Sequence, residues 1–363
     1  MADARVAVVG AGLAGAATAA ALARAGHNVD LIAEPCDPGA SALPLGVLRP
    51  HLATQLDPLA RVRRHGLRLT RAWLSELERH RLDCGRQVDG ALAIAGDARS
   101  RARRDRLPSG GSDDRRVTRS QAQRLAGVDP ADSAIFHPRG ACIAPARLVA
   151  AFLQYAGGHV VWTNARIRSL QRRGSRWHLL GAPPLRHAYR HVVLATGAGT
   201  SALLPEIASW LEPARGQATA IGATAASTHQ RLPVSGDGYI TPAVDGLHWV
   251  GATLQRGATS RQRRSRDDET NIARFQRLWP TPTAPEVLDH FVGIRATTRD
   301  RLPVVGALAP GLWLSVGHGS HGLSTAPLAG LLLAGAIHGR AAPLLTLVSP
   351  HRPALQRARR RSG

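Results

Sequence analysis

The stretch Arg5-Val-Ala-Val-Val-Gly-Ala-Gly-Leu-Ala-Gly15, followed by an alanine-rich run to Ala25 and a second apolar run Val29–Ala33 closed by Glu34, decides the fold of this chain. Residues 5–9 read as a buried strand, Leu13–Ala25 as a helix stopped by Gly26, and 29–33 as a second strand. Each glycine has a mechanical reason in a dinucleotide-binding βαβ unit. Gly10 permits the tight turn, Gly12 lets a pyrophosphate approach the backbone, and Gly15 lets the helix pack closely on the strand. Ala11, Leu13 and Ala14 open the helix, whose N-terminal N–H groups and dipole favour an anion. Glu34 stands where an acidic side chain accepts hydrogen bonds from a ribose diol, and an acid there disfavours a 2′-phosphate. No second Gly-x-Gly-x-x-Gly occurs. A single nucleotide site favours a bound flavin over a pyridine-nucleotide reductase.

Outward from this unit, Asp57–Arg81 carries Leu59, Val62, Leu67, Leu69, Trp73, Leu74 and Leu77 at helical spacing. Pro145–Ala156 reads as a second amphipathic helix. Val160–Thr163, Trp177–Leu180, His191–Ala195 and Leu312–Val316 read as strands. Ala214–Gly257 is β-rich, Arg261–Leu278 is a basic polar helix, and another helix starts near Ser324. Arg99–Arg119 reads as a polar surface excursion. Segments with buried strands and glycine turns alternate with segments rich in strand and arginine, which suggests a nucleotide-binding domain in discontinuous pieces with a second domain inserted.

The chain has 363 residues, 44% hydrophobic and 20% charged, enough for a sizeable core. All 47 of its basic residues are arginine, against 25 acids, for a net charge of +22. The absence of lysine excludes Schiff-base and P-loop chemistry. The charge itself favours a polyanionic partner, nucleic acid first. Three dispersed cysteines argue against a disulfide framework and a metal centre, and suit the cytoplasm. The apolar run Leu328–Ile337 is too short to span a bilayer. The glycines within the first 25 residues argue against a signal peptide.

Three further motifs complete the pattern: Gly39-Ala-Ser-Ala-Leu-Pro-Leu-Gly-Val-Leu-Arg-Pro50, Gly293-Ile-Arg-Ala-Thr-Thr-Arg-Asp-Arg-Leu-Pro-Val-Val-Gly306 and Gly317-His-Gly-Ser-His-Gly-Leu-Ser-Thr-Ala-Pro327. With the first, they resemble the D-amino-acid-oxidase-like flavoenzymes, which include glycine and sarcosine oxidases. Ala214-Arg-Gly-Gln217, Gly238-Tyr-Ile-Thr-Pro242 and Arg266-Asp-Asp-Glu-Thr-Asn271 are similar to the FAD-dependent oxidoreductase half of the tRNA 5-methylaminomethyl-2-thiouridine biosynthesis bifunctional family. The resemblance covers about residues 5–345 and does not include that family's methyltransferase half.

The resemblance implies an α/β Rossmann-like FAD-binding domain (1–85, 140–212, 293–345) with an inserted antiparallel β-sheet substrate domain (86–139, 213–292) and a basic tail at 346–363. It implies FAD as cofactor, tRNA as partner, no membrane or metal, and a separate methyltransferase acting on the product. The implied substrate is 5-carboxymethylaminomethyl-(2-thio)uridine at the wobble position, whose carboxymethyl group is removed oxidatively to leave 5-aminomethyl-(2-thio)uridine. Arg295 matches the family's carboxylate-binding arginine; read alone it is one more arginine on a strand end. Tyr239 matches a pocket-lining position, or is a core tyrosine. Ser41, Gly46, Val47, Leu48, Ile167, Ala195, Thr196 and Gly197 are expected along the cofactor. So are Gly319, Ser320, His321, Gly322, Leu323 and Ser324, with backbone N–H groups at the flavin N1–C2=O edge. His318 or His321 is expected to be a cation at that edge or only a polar neighbour. Departures from the family stand at Ala42, Leu43, Leu45 and His321, while Pro44 and Gly46 keep the turn. Two other functions compete: a small-molecule amine or amino-acid oxidase, and a tRNA-binding protein whose FAD is structural. The basic segments Arg99–Arg119, Arg256–Arg266 and Arg352–Arg361 are candidate RNA contacts, the last as a mobile arm.

Overall fold

The computed structural model describes residues 5–34, 39–51, 53, 55–95, 101–102, 113–185, 187–281 and 284–360. The opening unit forms as its sequence dictates: β1 (Val6–Val9), α1 (Leu13–Arg24) and β2 (Val29–Ile32). The two strands run parallel, with Val6 opposite Val29 and Val9 opposite Ile32. The chain continues through β3 (Gly46–Leu48), α2 (Pro58–Arg79), β4 (Arg86–Ile94), β5 (Arg115–Val117), α3 (Arg119–Ala126), β6 (Ala134–Ile143) and α4 (Pro145–Ala156). Then come β7 (Val160–Thr163), β8 (Arg166–Arg173), β9 (Arg176–Ala182), β10 (Ala188–Tyr189) and β11 (His191–Leu194). The remainder comprises β12 (Glu212–Gly222), β13 (Val234–Gly236), β14 (Gly238–Ile240), β15 (Leu247–Gly251), β16 (Gln255–Arg256), α5 (Ser265–Leu278) and β17 (Val287–Thr297). It ends with β18 (Val304–Ala309), β19 (Leu312–Val316), α6 (Gly322–Ile337) and, near the C-terminus, α7 (Pro353–Arg360).

One sheet has the order β18-β19-β11-β1-β2-β7, parallel except for β18. Alternation along β1 sends Val6 and Val8 into a core shared with α1, α2, α4 and α6, and Ala7 and Val9 into a second core shared with the small β8–β9–β10 sheet. The other large sheet runs β12-β15-β14-β13-β4-β6-β3, with β17 on the outer side of β12. It is antiparallel but for the β13–β4 pair. The expected divisions at 139/140 and 292/293 fall inside β6 and β17, and β3 also belongs to this sheet, because the ladder does not follow the glycine motifs.

Three helices approach unusually closely under the nucleotide unit. A Cβ on Gly330 of α6 would lie 2.6 Å from the Ala17 carbonyl oxygen, and one on Gly66 of α2 would lie 2.3 Å from that of Ser324. Pro327 sits inside α6 and has no N–H for the Leu323 carbonyl four residues earlier. The Thr70 hydroxyl, from α2, donates to that carbonyl at 2.8 Å and replaces the missing bond.

Several expectations require correction. Helical structure runs on from the short turn Gly319–His321 into α6, so Gly319–Ile337 is long and apolar enough to cross a membrane, contrary to the reading of Leu328–Ile337. Much of its face is buried against α1 and α2. Within Arg99–Arg119, Arg115–Val117 is a strand paired to β6; residues 99–100 and 103–112 lie outside the described residues. Strand β8 was not foreseen, because a register shift between Ile167 and Ser169 sets its two inward apolar residues, Ile167 and Leu170, three apart and breaks the period of two. The basic helix starts at Ser265, not Arg261. The start of the expected mobile arm at Arg352–Arg361 is docked instead, while Arg361 lies outside the described residues. Arg352 is buried, holds both carboxylate oxygens of Asp300 (2.7 and 3.0 Å), and donates to the Leu302, Pro303 and Val348 carbonyls. Of the cysteines, Cys84 and Cys142 are free and buried, and Cys36 lies outside the described residues.

Candidate active site

A cleft of about 1510 Å³ opens between the two large sheets, larger than the roughly 300–1,000 Å³ that takes a drug-sized ligand. Its walls include Gly10, Ala11, Gly12, Leu13, Ala14, Glu34, Ser41, Gly46, Val47, Leu48, Ile167, Ala195, Thr196, Gly197, Tyr239, Arg295 and the loop Gly317–Ser324. Of the residues expected along the cofactor, Gly15 alone is not on the wall. Its Cβ would sit 1.7 Å from the Gly10 carbonyl oxygen, so Gly15 acts by bringing helix to strand and not by touching a ligand. Gly10 itself has φ +104°, and a Cβ there would meet the Ala195 oxygen at 2.6 Å. The turn is thus closed to any side chain on two counts.

The N-terminus of α1 is partly satisfied by a residue that local spacing does not reveal. Ser41 accepts a hydrogen bond from Leu13 N–H at 3.0 Å, in place of a side-chain cap that Gly12 cannot supply. Ala16 closes the first intrahelical bond, to Gly12, so the Gly12 and Ala14 N–H groups remain for an anion. Glu34 is exposed at the end of β2, with Arg166 of β8 at 3.9 Å. Thr196 pairs its hydroxyl with that of Thr200 (2.8 Å), and Gly197 takes φ +56° to turn the chain past the cleft.

The substrate end of the cleft is built by strand register. Arg295 on β17 lies opposite Ala214 on β12; Ala218 lies opposite Gly251 on β15, and Gly251 opposite Tyr239 on β14. Partners across a ladder share a face, so Arg295, Tyr239 and the row Ala214, Gly216, Ala218 face the same way. Between the two polar side chains this face carries Ala214, Gly216, Ala218 and Gly251, with Phe291 opposite Ala218 on β17. A Cβ on Gly216 would lie 2.9–3.0 Å from the three outer guanidinium atoms of Arg295, so the guanidinium rests directly on this glycine. Arg295 also donates to Ser320 at 3.2 Å, which joins β17 to the last glycine loop. The Tyr239 hydroxyl is shielded from water and has no hydrogen-bond partner among the described residues. Burial, opposed by the nearby Arg295, pushes this phenol up to about 12. Burial lowers Arg295 from its ordinary value, yet a guanidinium stays protonated. A lone shielded donor beside a half-buried cation awaits an anionic acceptor.

The two loop histidines are not cations. The Thr325 hydroxyl donates to the His321 carbonyl, so His318 donates to it through Nδ1 (2.9 Å) while Nε2 accepts from Ser315 (3.3 Å). That is the neutral tautomer, and burial holds the ring down to about 4. His321 falls to about 3 through burial and then the charges of Arg63, Arg49, His51 and Arg295. The positive charge at this corner belongs to arginines. Arg49 lines the cleft, and Arg63 lies behind it with His51 at 2.9 Å. Sequence reading missed both; their only signal was an unbalanced charge next to a glycine motif.

The model of the FAD dependent oxidoreductase family matches residues 5–336. The chain belongs to that family. It is accordingly an FAD-dependent oxidoreductase. Among relatives, it is 35% identical over 386 residues to the tRNA 5-methylaminomethyl-2-thiouridine biosynthesis bifunctional protein of Polaromonas naphthalenivorans, covering 94% of this chain and 58% of that protein. It is 30% identical over 395 residues to the protein of the same name from Pseudomonas putida, covering 96% and 60%. The chain therefore spans about three fifths of the length of these relatives. Among solved structures, iminodiacetate oxidase from Chelativorans sp. BNC1 is 26% identical with a TM-score of 0.82, covering 95% of this chain and 99% of that one. Glycine oxidase from Geobacillus kaustophilus, 24% identical with a TM-score of 0.81 over 93% and 96%, has the same fold.

The cleft fits the cofactor of this oxidoreductase family on its own terms. The side-chain-free turn at Gly10–Gly12 and the open amides of α1 suit a pyrophosphate, and Glu34 suits a ribose. The loop Gly319–Ser324, just before and within the first turn of α6, offers backbone donors to the flavin edge. Among the described residues no three His, Cys, Asp or Glu side chains gather to hold a metal ion.

Proposed function

We propose that the chain oxidises the carboxymethyl arm of 5-carboxymethylaminomethyl-(2-thio)uridine in the wobble position of tRNA, leaving 5-aminomethyl-(2-thio)uridine and glyoxylate. The observation that carries this reading is the pair formed by Arg295, resting on Gly216, and the unpartnered Tyr239 hydroxyl, both on the wall of one cleft. An N-substituted glycine supplies what that pair lacks. Its carboxylate takes a bidentate guanidinium pair and one phenolic hydrogen bond, which fixes the α-carbon in position. The amine must be neutral for its lone pair to assist as the α-C–H bond breaks with its electron pair. FAD bound in the cleft would supply the redox chemistry as the acceptor of that hydride equivalent. The resulting imine of glyoxylate adds water at carbon, and the C–N bond then breaks to give the primary amine and glyoxylate. Tyr239 stays protonated throughout at neutral pH, so it serves as a donor and not as a base.

Two findings support the tRNA substrate and one supports the carboxymethyl arm. The relatives named above carry tRNA modification in their names, and this chain carries +22 charges. The named substrate of the Chelativorans oxidase, iminodiacetate, is a secondary amine with two carboxymethyl arms. A tRNA substrate would put the protein in the cytoplasm and leave the next step to a methyltransferase that accepts the aminomethyl product. The test is nucleoside analysis of tRNA before and after incubation with the flavin-loaded protein. Conversion of the carboxymethylaminomethyl nucleoside with release of glyoxylate is expected. An unchanged nucleoside with consumption of free glycine or sarcosine would replace this reading with the small-amine oxidase that the Chelativorans structure favours.

A further inference from the structure

The charge of this chain is spread along its length, but one cluster of arginines stands at the substrate end of the cleft. The segment Leu254–Arg266 contains five arginines, at 256, 261, 263, 264 and 266, and no acid. Within it, Leu254, Thr259 and Arg261 line the same cleft as Tyr239 and Arg295. All five arginines are exposed. Among them, Arg256 pairs with Glu212 and Arg263 with Asp268, each at 2.8 Å. Arg264 donates to the neutral amide of Gln255, and among the described residues Arg266 forms no ion pair. The other basic segments differ. Arg352 is consumed by Asp300, and Arg115 and Arg116 sit on β5, paired to β6 away from the cleft walls.

A flexible surface loop would not present such charges in fixed positions, and this one is anchored from within. The residues of β12 that alternate with the cleft floor point to its opposite face. There the side chain of Arg215 is fully buried and donates to the carbonyls of Ser260 (3.0 Å) and Gln262 (2.6 Å), to Gln217 (2.8 Å) and to Asp267. Gln217 spans the next step, accepting from Arg264 N–H and donating to the Arg264 carbonyl, both at 3.0 Å, and to Asp268 at 2.8 Å. Thr219 completes the set on Asp268 at 2.6 Å. Thus one face of β12 supports Arg295 through Gly216 while the other grips the loop at the mouth of the cleft.

Resting on the tRNA reading above, we infer that the loop 254–266, clamped by Arg215 and Gln217, is the rim on which the RNA backbone docks to deliver its modified base to Arg295 and Tyr239. The guanidinium groups of Arg264 and Arg266, carried on this anchored backbone, contact phosphates; such contacts carry no sequence information and set register and approach. Arg215 is a positioning residue that acts through the loop.

The test measures tRNA affinity of the flavin-loaded protein against salt for four forms: the parent, R264A/R266A, R264K/R266K, and R172A/R173A on the separate β8–β9 hairpin. Each lost phosphate contact reduces the log–log salt slope by about 0.7–0.9. The rim double alanine variant should lower it by about 1.5 and weaken binding, whereas the lysine pair should restore it and the hairpin pair should leave it near the parent value. Retained flavin absorbance in each variant reports that the fold is intact. Equal losses from rim and hairpin pairs would show that overall charge and not this rim holds the RNA, and would overturn the inference alone. Parent protein with no salt-dependent tRNA binding would overturn the tRNA reading and the inference with it. A second variant, R215M, should leave the flavin bound while lowering the slope by a similar amount, and an unchanged slope would remove Arg215 from the account.

Discussion

Gly216→Ala tests the substrate end of the cleft without touching a charged group. The backbone at 216 lies in β12 with no left-handed φ, so alanine suits the strand. The new methyl carbon would stand 2.9 Å from Nη2 and 3.0 Å from Cζ and Nη1 of Arg295. Relief requires the guanidinium to move outward by about 0.5 Å to reach ordinary contact, and displacement on this scale is felt strongly where a reacting group must be aligned. The guanidinium is the end of a flexible side chain, so the fold should be little affected. What changes is the bidentate pair with a carboxylate. Hydrogen bonds to charged groups contribute about 1.5–3 kcal/mol, so partial loss should raise the half-saturating concentration of an N-carboxymethyl amine about tenfold. Arg295→Gln should exceed that, by up to about a hundredfold. Anaerobic reduction of the bound flavin at varied amine concentration measures both, with thermal unfolding as the control. If Gly216→Ala binds as the parent does while Arg295→Gln is crippled, the guanidinium does not use the position resting on this glycine, and the floor argument fails.

Three further outcomes follow from other parts of the structure. Tyr239→Phe removes a buried hydroxyl with no partner, so thermal stability should hold or rise slightly. Carboxylate affinity should drop by about 13- to 160-fold, the equivalent of one hydrogen bond to a charged group of about 1.5–3 kcal/mol. His318 is held neutral in the folded protein at about 4, below its ordinary 6.5, so the unfolded chain binds a proton first as pH falls. Stability due to this ring is therefore full above 6.5 and is lost as pH falls from there towards 4, and melting curves across that range should be flatter for His318→Gln. Thr70→Val leaves the Leu323 carbonyl unpaired beside Pro327, and urea unfolding should show a loss of about 1–3 kcal/mol; an unchanged midpoint would mean that another donor reaches this carbonyl.

The amino-terminal unit was legible because its constraints are local. Gly10, Gly12 and Glu34 lie within one strand–helix–strand, and the turn tolerates no side chain whatever surrounds it. Pro145–Ala156 was legible for the same reason, since apolar spacing and a proline at the first helical position do not depend on distant contacts. Strand β8 was not, because the register shift after Ile167 leaves no period of two to read. The C-terminal segment was misjudged because composition counts Arg352 as surface charge, whereas Asp300, 52 residues away, brings it inside. The histidines at 318 and 321 could not be assigned a charge from sequence, since their protonation depends on burial and on arginines contributed by other elements.

The sequence by itself determined that a glycine turn of the dinucleotide-binding pattern precedes an alanine-rich helix, that the chain is heavily cationic, and that no lysine chemistry operates. Only the tertiary structure decided which of 47 arginines act at the site. Arg295 and Tyr239 lie 56 positions apart, and what unites them is the register of β17, β12, β15 and β14, which brings both to one face of one sheet. The same register turns Arg215 away from that face and onto the rim loop. Register is a property of strand pairing, and a shift of one residue would exchange the two faces; identical side chains therefore acquire different roles from pairings that are set far along the chain.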